Sequence, residues 1–234
     1  MQTAILAGGL GVRLRPLTLE IPKPMAPVAG KPYLEHQIRL LEEQGIEDVV
    51  ILAGYLGERI ESHFGDGSGF GVTIQYSFEE SPLGTGGALL RAEPLLAEEF
   101  LVIYGDSYLP IDYASVLRRL SVSAAGGALV VYDNRHGDTS VRNNIALGGE
   151  GLVERYAKND PEAAGLTHVD AGVAALRKSS LRLLPEAERR PSLESELYTR
   201  LIERRQLLAY ETRQRFYDIG TPERLKLIEG FLTR

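Results

Sequence analysis

The chain has 234 residues, and its hydrophobic content of 44% and charged content of 25% exclude an intrinsically disordered protein. Its 26 basic residues against 32 acidic ones give a net charge of −6, so we expect no nucleic-acid partner. The absence of cysteine excludes disulfides, thiol nucleophiles and thiolate-bound zinc. No apolar stretch approaches the roughly 20 residues of a membrane span. The N-terminus lacks the basic start of a signal peptide, so we expect a cytoplasmic protein with no membrane partner.

Short apolar runs alternate with segments of helical periodicity, which is typical of a mainly parallel sheet covered by helices. The predicted strands cover residues 3–7, 48–53, 72–77, 100–104, 128–132 and 169–176, and a hairpin joins 144–147 to 152–156. The predicted helices cover residues 32–44, 56–64, 84–96, 112–121, 193–204 and 222–232. Pro32 and Pro222 suit first helical turns, and Thr221 suits an N-cap. We therefore predict one α/β domain over residues 1–234, with a first half (1–132) and a more antiparallel second half (133–234).

A glycine-rich segment follows the first predicted strand: Leu6-Ala7-Gly8-Gly9-Leu10-Gly11-Val12-Arg13. Glycines let the backbone approach a ligand, and successive N–H groups can hold phosphate oxygens. Arg13 adds a charged fork for a phosphate. A dinucleotide fingerprint is excluded because Leu14 replaces its third glycine, and a P-loop is excluded because the Gly-Lys-Ser/Thr ending is missing. For the glycines alone, an ordinary turn after a strand remains an alternative.

Two further segments carry candidate ligand-binding residues. Pro22 and Pro24 flank Lys23 and predict that the lysine is held in an extended segment, although a solvated surface lysine remains an alternative. The segment Ser81-Pro82-Leu83-Gly84-Thr85-Gly86-Gly87-Ala88 opens a predicted helix after Glu79 and Glu80. A glycine-rich helix start suits close packing of a nucleotide against backbone, and equally suits tight packing within the protein.

Two aspartates are candidate ligands for a hard metal ion. Asp106 ends the fourth predicted strand, and ligands of open α/β sheets bind at the carboxyl ends of strands. Asp218 lies in the segment Phe216-Tyr217-Asp218-Ile219-Gly220-Thr221-Pro222. If the two carboxylates converge, they would bind Mg²⁺ together with phosphate oxygens. Each aspartate alone would equally serve as a cap or turn residue.

In this order and spacing, these motifs resemble those of the sugar-1-phosphate nucleotidyltransferases over nearly the whole chain. The likeness is greatest to the short guanylyltransferases that act on D-glycero-D-manno-heptose 1-phosphate or mannose 1-phosphate. It implies a Rossmann-like three-layer α/β/α fold of the GT-A-like type, with a mixed, mainly parallel central sheet. It also implies a role in nucleotide-sugar biosynthesis, with a nucleoside triphosphate and a sugar 1-phosphate as substrates. The sequence does not decide between a monomer and a homodimer.

The resemblance also implies roles for individual residues. Lys23 would contact the α-phosphate and the sugar phosphate, and Asp106 and Asp218 would bind Mg²⁺. The implied catalytic residues are Arg13, Lys23, Asp106 and Asp218. The implied nucleotide-binding residues are Leu6, Ala7, Gly8, Gly9, Gly11, Arg13, Glu79, Pro82, Gly84 and Thr85. The implied sugar-phosphate-binding residues are Lys23, Asn144, Lys158 and Asp170. The resemblance also implies a nucleotide-binding half (1–132) and a sugar-phosphate-binding half (133–234). The chain departs from the family pattern at three positions, which are Val12 for Thr, Ala157 for Glu and Asp170 for Asn.

The predicted nucleotide base, and the arguments against other functions, depend on fewer residues. Glu79 stands near the place where uridylyl- and thymidylyltransferases carry a glutamine, and a carboxylate can accept both guanine N–H donors. This favours GTP, while a uridylyl- or thymidylyltransferase acting on another sugar 1-phosphate remains the alternative. A glycosyltransferase would need an Asp-x-Asp metal-binding motif after the fourth predicted strand, but here Asp106 is followed by Ser107-Tyr108. A non-catalytic regulatory relative would be expected to lack Arg13, Lys23 or one aspartate, and all are present.

Overall fold

The computed structural model describes residues 1–157 and 164–233. The strands are β1 (Gln2–Ala7), β2 (Pro27–Val28), β3 (Lys31–Pro32), β4 (Asp48–Ala53), β5 (Thr73–Phe78), β6 (Glu99–Tyr104), β7 (Ser107–Tyr108), β8 (Gly127–Tyr132), β9 (Ile145–Leu147), β10 (Val153–Tyr156), β11 (Val169–Arg177), β12 (Leu207–Thr212) and β13 (Tyr217–Asp218). The α-helices are α1 (Tyr33–Glu42), α2 (Gly57–Phe64), α3 (Gly84–Ala92), α4 (Tyr113–Ser121), α5 (Thr199–Glu203) and α6 (Pro222–Leu232). Among the described residues, no helix is long and apolar enough to cross a membrane.

Within the described ranges, seven strands form the central sheet in the order β12-β8-β11-β6-β1-β4-β5. Strand β11 runs antiparallel to both of its neighbours, β6 and β8, and the other neighbouring pairs are parallel. This confirms the predicted mixed, mainly parallel sheet. Strands from both predicted halves of the chain take part, since β11 and β12 follow residue 133 and interleave with β6 and β8.

The sheet has a hydrophobic core on each face, as a three-layer arrangement requires. On one face, Ile5 and Ile103 pack with apolar residues of α1, α2 and α4. On the other face, Ala4 and Val102 pack with residues of α3 and α5 and of a π-helical turn at Leu193–Tyr198. The central strands are therefore covered on both faces, and this is why their middle residues form continuous apolar runs in the sequence.

Three predicted helices differ from those observed. Pro32 belongs to β3 and is the residue that precedes the first turn of α1, so it is not part of the helix. Helix α1 ends at Glu42 instead of residue 44. Helix α3 ends at Ala92 because Pro94 cannot continue it, and a 3₁₀ turn follows. The predicted helix 193–204 begins as the π-helical turn and becomes α-helical only in α5. Strand β12 and the short pair β7–β13 were not predicted from the sequence.

Candidate active site

The glycine-rich segment begins at the carboxyl end of β1, which ends at Ala7. Gly11 has a φ of 61°, and a Cβ on it would lie 2.8 Å from Cγ2 of Thr18 and 3.0 Å from Cβ of Lys23. The Thr18 hydroxyl donates a hydrogen bond of 2.8 Å to the Gly11 carbonyl. A side chain at position 11 would therefore strain the backbone and displace both neighbours. This is the local reason that the loop brings Arg13 and Lys23 to the same place.

A cavity of about 400 Å³ opens beside this loop. Its lining includes every predicted nucleotide-binding residue and three of the four predicted catalytic residues: Leu6, Ala7, Gly8, Gly9, Gly11, Arg13, Lys23, Glu79, Pro82, Gly84, Thr85 and Asp106. Its size is within the range of ordinary ligand pockets. The structure thus brings together in one cavity motifs that lie a hundred residues or more apart in the sequence.

Glu79 follows β5 directly and lies half-buried in the cavity wall. Its Oε2 accepts the backbone N–H of Leu83 at 3.0 Å. A Cβ on Gly54 would lie 2.6 Å from Oε1, and one on Gly8 would overlap the same oxygen, so both glycines make room for the carboxylate. Burial raises the pKa of the Glu79 carboxyl, while the Leu83 N–H and the charge of Arg91 oppose the rise.

Helix α3 begins at the cavity with a backbone that only glycine fits. Gly84 has a φ of 76°, and a Cβ there would lie 2.7 Å from the carbonyl oxygens of Arg190 and Pro191. Thr85 accepts the N–H of Leu193 at 2.8 Å and donates to Oε2 of Glu194 at 3.2 Å. The start of α3 is therefore fixed to the second half of the chain.

Lys23 and Asp106 form an ion pair at the cavity floor. The Lys23 side chain is only 12% exposed, which excludes the alternative of a solvated surface lysine. The prediction of an extended segment at Lys23 is wrong. Lys23–Met25 form a 3₁₀ turn, in which Pro24 is tolerated because the N–H that it lacks would have no partner in a first turn.

The two candidate metal ligands converge through main-chain pairing. Strand β13 pairs with β7 so that Asp218 stands opposite Ser107, and the N–H of Ile219 donates to the Asp106 carbonyl at 3.1 Å. The Asp218 carboxylate accepts a forked hydrogen bond from Nη1 of Arg224 at 2.8 and 3.0 Å, and accepts the Gly220 N–H at 2.7 Å. Each aspartate therefore faces a protein cation, Lys23 or Arg224, at the same end of the sheet.

A second cavity of about 200 Å³ adjoins the first and shares Arg13, Tyr104 and Asp106 with it. Its lining includes the predicted residues Asn144, Asp170 and Asp218. Asp170 lies where β11 bulges, since the register with β8 shifts between Asp170 and Ala174. Gly172, at a φ of 76°, donates its N–H to Oδ1 of Asp170 at 2.8 Å. The bulge is what aims the Asp170 side chain into the cavity.

Several polar residues that were not predicted from the sequence also line the second cavity, among them Tyr156, Glu194 and Arg224. The Tyr156 hydroxyl donates to Oδ2 of Asp170 at 2.8 Å, and burial, followed by the charge of Asp170, raises the pKa of that hydroxyl. Glu194 is buried and accepts the Ser192 hydroxyl at 2.6 Å. Arg224 lies in the first turn of α6, where the helix dipole disfavours a cation. Its position in the sequence therefore indicates that an acidic residue pairs with it. Lys158, predicted to bind the sugar phosphate, lies outside the described residues.

The donor set at this end of the sheet fits a hard divalent cation. Asp106 and Asp218 supply carboxylate oxygens, and the cations already paired with them show that the position favours positive charge. Among residues 1–157 and 164–233, no group of three or more histidine and carboxylate side chains could hold a metal ion by itself. Mg²⁺ commonly takes one or two protein carboxylates and completes its shell with water and substrate phosphates, so two aspartates are sufficient.

A family model described as nucleotidyl transferase matches residues 2–233. The chain belongs to the nucleotidyl transferase family. A D-glycero-alpha-D-manno-heptose 1-phosphate guanylyltransferase from Aneurinibacillus thermoaerophilus is 44% identical over 120 residues, which cover 51% of this chain and 52% of the relative. A mannose-1-phosphate guanylyltransferase from Mycobacterium tuberculosis is 31% identical over 226 residues, which cover 95% of this chain and 62% of the relative. This nucleotidyl transferase chain thus spans only part of the length of these curated relatives.

Two solved structures have the same fold as this nucleotidyl transferase. The crystal structure of HddC from Yersinia pseudotuberculosis superposes with a TM-score of 0.82 at 26% identity, covering 99% of each chain. The same protein complexed with GMP-PN superposes with a TM-score of 0.80. These likenesses confirm the predicted family and fold class.

Proposed function

We propose that this nucleotidyl transferase moves a guanylyl group from GTP to a manno-configured sugar 1-phosphate of the heptose or mannose type. The observation that carries the proposal is the meeting of the two cavities at Arg13 and Asp106. One cavity has the size and the glycine-rich wall for a nucleotide, and the smaller one has the polar lining for a sugar. In this assignment residues 1–132 hold the nucleotide, and residues 133–234 supply most of the sugar-phosphate site.

The chemistry requires placement and charge more than a protein nucleophile. An oxygen of the sugar phosphate attacks the α-phosphorus of GTP in line, the bond between the α-phosphorus and the bridging oxygen breaks, and pyrophosphate leaves. The attacking oxygen is already anionic, so no general base is needed. Arg13 and Lys23 reduce the repulsion between the two anionic substrates and hold them in reacting geometry.

A divalent cation, proposed to be Mg²⁺, would be held by Asp106 and Asp218. When bound, it would neutralise charge on the phosphates as they react. Lys23 and Arg224, which neutralise these carboxylates in the structure, would then be available to the substrate phosphates. Asn144, Lys158 and Asp170 are proposed to bind the sugar 1-phosphate.

Glu79 is proposed to read the guanine base. Each carboxylate oxygen has about two lone-pair sites, so Oε2 keeps acceptor capacity beyond the Leu83 N–H, and Oε1 adds more. Guanine presents two adjacent N–H donors, whereas uracil and thymine present one. Support also comes from the relatives, two of which are named guanylyltransferases, and from the HddC complex with GMP-PN.

The direct test is pyrophosphate release in the presence of Mg²⁺. GTP, UTP, dTTP, CTP and ATP are each paired with D-glycero-α-D-manno-heptose, mannose, glucose and N-acetylglucosamine 1-phosphates. We expect release with GTP and a manno-configured sugar. Release confined to UTP or dTTP would preserve the transfer reaction and overturn the role of Glu79. Tight nucleotide binding without any release would instead support a regulatory relative.

A further inference from the structure

A buried amide interrupts the apolar face of α1. Gln37 is 3% exposed and lies between Leu34 and Leu41, which are fully buried in the core beneath the sheet. Its Oε1 is buried without a hydrogen-bond partner among the described residues. An unpaired buried acceptor of this kind costs stability. The amide must therefore contribute something other than packing.

The amide of Gln37 bridges the turn that carries Asp106. Its Nε2 donates to the carbonyl of Tyr104 at 2.9 Å and to the carbonyl of Ser107 at 2.5 Å. These two carbonyls stand on either side of Gly105-Asp106, so both amide hydrogens are committed to the ends of one tight turn. Two acceptors facing Nε2 also fix which way the amide points.

The same turn carries the main-chain link between the two aspartates. Gly105 donates to the Leu6 carbonyl at 2.9 Å and leaves no room for a Cβ, which would lie 2.8 Å from that oxygen. On the other side Asp218 pairs with Ser107, whose carbonyl Gln37 binds. A shift of the turn would therefore move Asp106 relative to Lys23 and displace the strand that carries Asp218.

We propose that Gln37 is a positioning residue for Asp106, acting through the carbonyls of Tyr104 and Ser107. The inference rests on the proposed role of Asp106 as a ligand of the divalent cation. Groups that orient metal ligands typically change metal affinity or activity by about 10- to 100-fold when they are removed. We expect Gln37→Met to weaken divalent-cation binding and to lower kcat by about 10-fold or more. The KM for GTP should change little, because the loop at Gly11 and the Glu79 wall are held by other contacts.

The chain offers a matched control at the opposite end of the sheet. Gln2 is 6% exposed, and its Nε2 likewise donates to two acceptors, Oδ2 of Asp48 and the carbonyl of Leu95, each at 3.0 Å. It lines neither cavity. Its Oε1 also accepts the Ala97 N–H at 2.6 Å, so Gln2→Met removes the same chemical group and at least as many hydrogen bonds from a similarly buried place.

The experiment measures Mn²⁺ binding to the whole chain by the electron paramagnetic resonance signal of free Mn²⁺, together with an unreactive GTP analogue. Wild type, Asp106→Asn, Gln37→Met and Gln2→Met are compared, and steady-state kcat and KM are measured on the same preparations. The inference predicts weaker Mn²⁺ binding and lower kcat in Gln37→Met, and wild-type values in Gln2→Met. Equal values for the two methionine variants would overturn it. If Asp106→Asn binds Mn²⁺ as the wild type does, the proposed metal role itself is wrong, and the inference falls with it.

Hydrogen exchange gives a readout that needs neither metal nor turnover. In folded Gln37→Met, the peptide covering residues 104–108 should exchange faster than in the wild type, and it should be unchanged in Gln2→Met. Unchanged exchange in Gln37→Met would show that the amide does not hold the turn. If Gln37→Met does not fold, Gln37→Glu serves instead, because its carboxylate cannot donate to the two carbonyls at neutral pH.

Discussion

Replacing Glu79 with glutamine exchanges one carboxylate oxygen for an N–H₂ group in the wall of the larger cavity. The rest of the side chain keeps its shape, so Gly8 and Gly54 still accommodate it. If Glu79 accepts two N–H groups from guanine, the glutamine keeps one acceptor and turns a donor toward the other N–H. The same amide matches a pyrimidine, which presents one donor beside one acceptor. The variant should therefore have a lower kcat/KM for GTP and a higher kcat/KM for UTP or dTTP.

The expected size follows from the burial of the site. A hydrogen bond to a charged group contributes about 1.5–3 kcal/mol. Glu79 is only half-buried, so solvent screening favours the lower end of that range. A loss of about 1.5 kcal/mol corresponds to about a 10-fold fall in kcat/KM for GTP.

The assay compares kcat/KM for GTP and UTP with the same sugar 1-phosphate in wild type, Glu79→Gln and Glu80→Gln. Glu80 is exposed and does not line the cavity, so its variant carries the same charge change as a control. Acid conditions add a second readout. Because burial raises the pKa of Glu79, falling pH should protonate it and reduce GTP use earlier than for an ordinary glutamate. Unchanged GTP preference in Glu79→Gln, with no change in the pH profile, would refute the reasoning.

Three further substitutions have outcomes set by the local structure. Gly220→Ala places a Cβ 2.7 Å from Oδ1 of Asp218, so kcat should fall while the melting temperature stays close to that of the wild type; unchanged kcat would contradict the role of that carboxylate. Gly230→Ala fills open space inside α6 and should raise the unfolding free energy by about 0.5–1 kcal/mol in denaturant titrations, with activity unaffected. Burial alone would raise the pKa of Glu35, but hydrogen bonds from neighbouring cations lower it overall. Its stabilisation is therefore present at neutral pH and lost as pH falls through that lowered pKa. Glu35→Gln should reduce the melting temperature at neutral pH, and the difference should shrink in acid.

The elements that were predicted well from the sequence have their sequence patterns within a few neighbouring residues. The strand predicted at 48–53 is β4, and the helix predicted at 222–232 is α6, with the Thr221 side chain capping it by accepting the Arg224 N–H. A continuous apolar run and a cap followed by proline are each readable within a few residues. Strand β12 has only three apolar residues before its polar end and is defined by pairing with β8, which no local pattern reveals.

The site shows the same division between local and long-range information. The glycine loop, Lys23, Glu79 and Asp106 stand in local motifs and were all predicted. The convergence of Asp106 with Asp218 depends on a two-residue pairing between segments far apart in the sequence, so no local pattern reveals it and only the family resemblance implied it. Gln37 is a polar residue on the apolar face of a helix, a signal of a buried contact that does not reveal its partner.

The central claim is that nucleotidyl transfer occurs where the two cavities meet, and the most direct test is product formation by wild type and Asp106→Asn. Both proteins are incubated with Mg²⁺, GTP and D-glycero-α-D-manno-heptose 1-phosphate, or mannose 1-phosphate, and the GDP-sugar is measured by mass spectrometry. We expect the wild type to form the GDP-sugar and pyrophosphate, and Asp106→Asn to be slower by about 10²-fold or more, as is typical when one preorganised charge contact is lost. Equal rates for the two proteins would contradict the account.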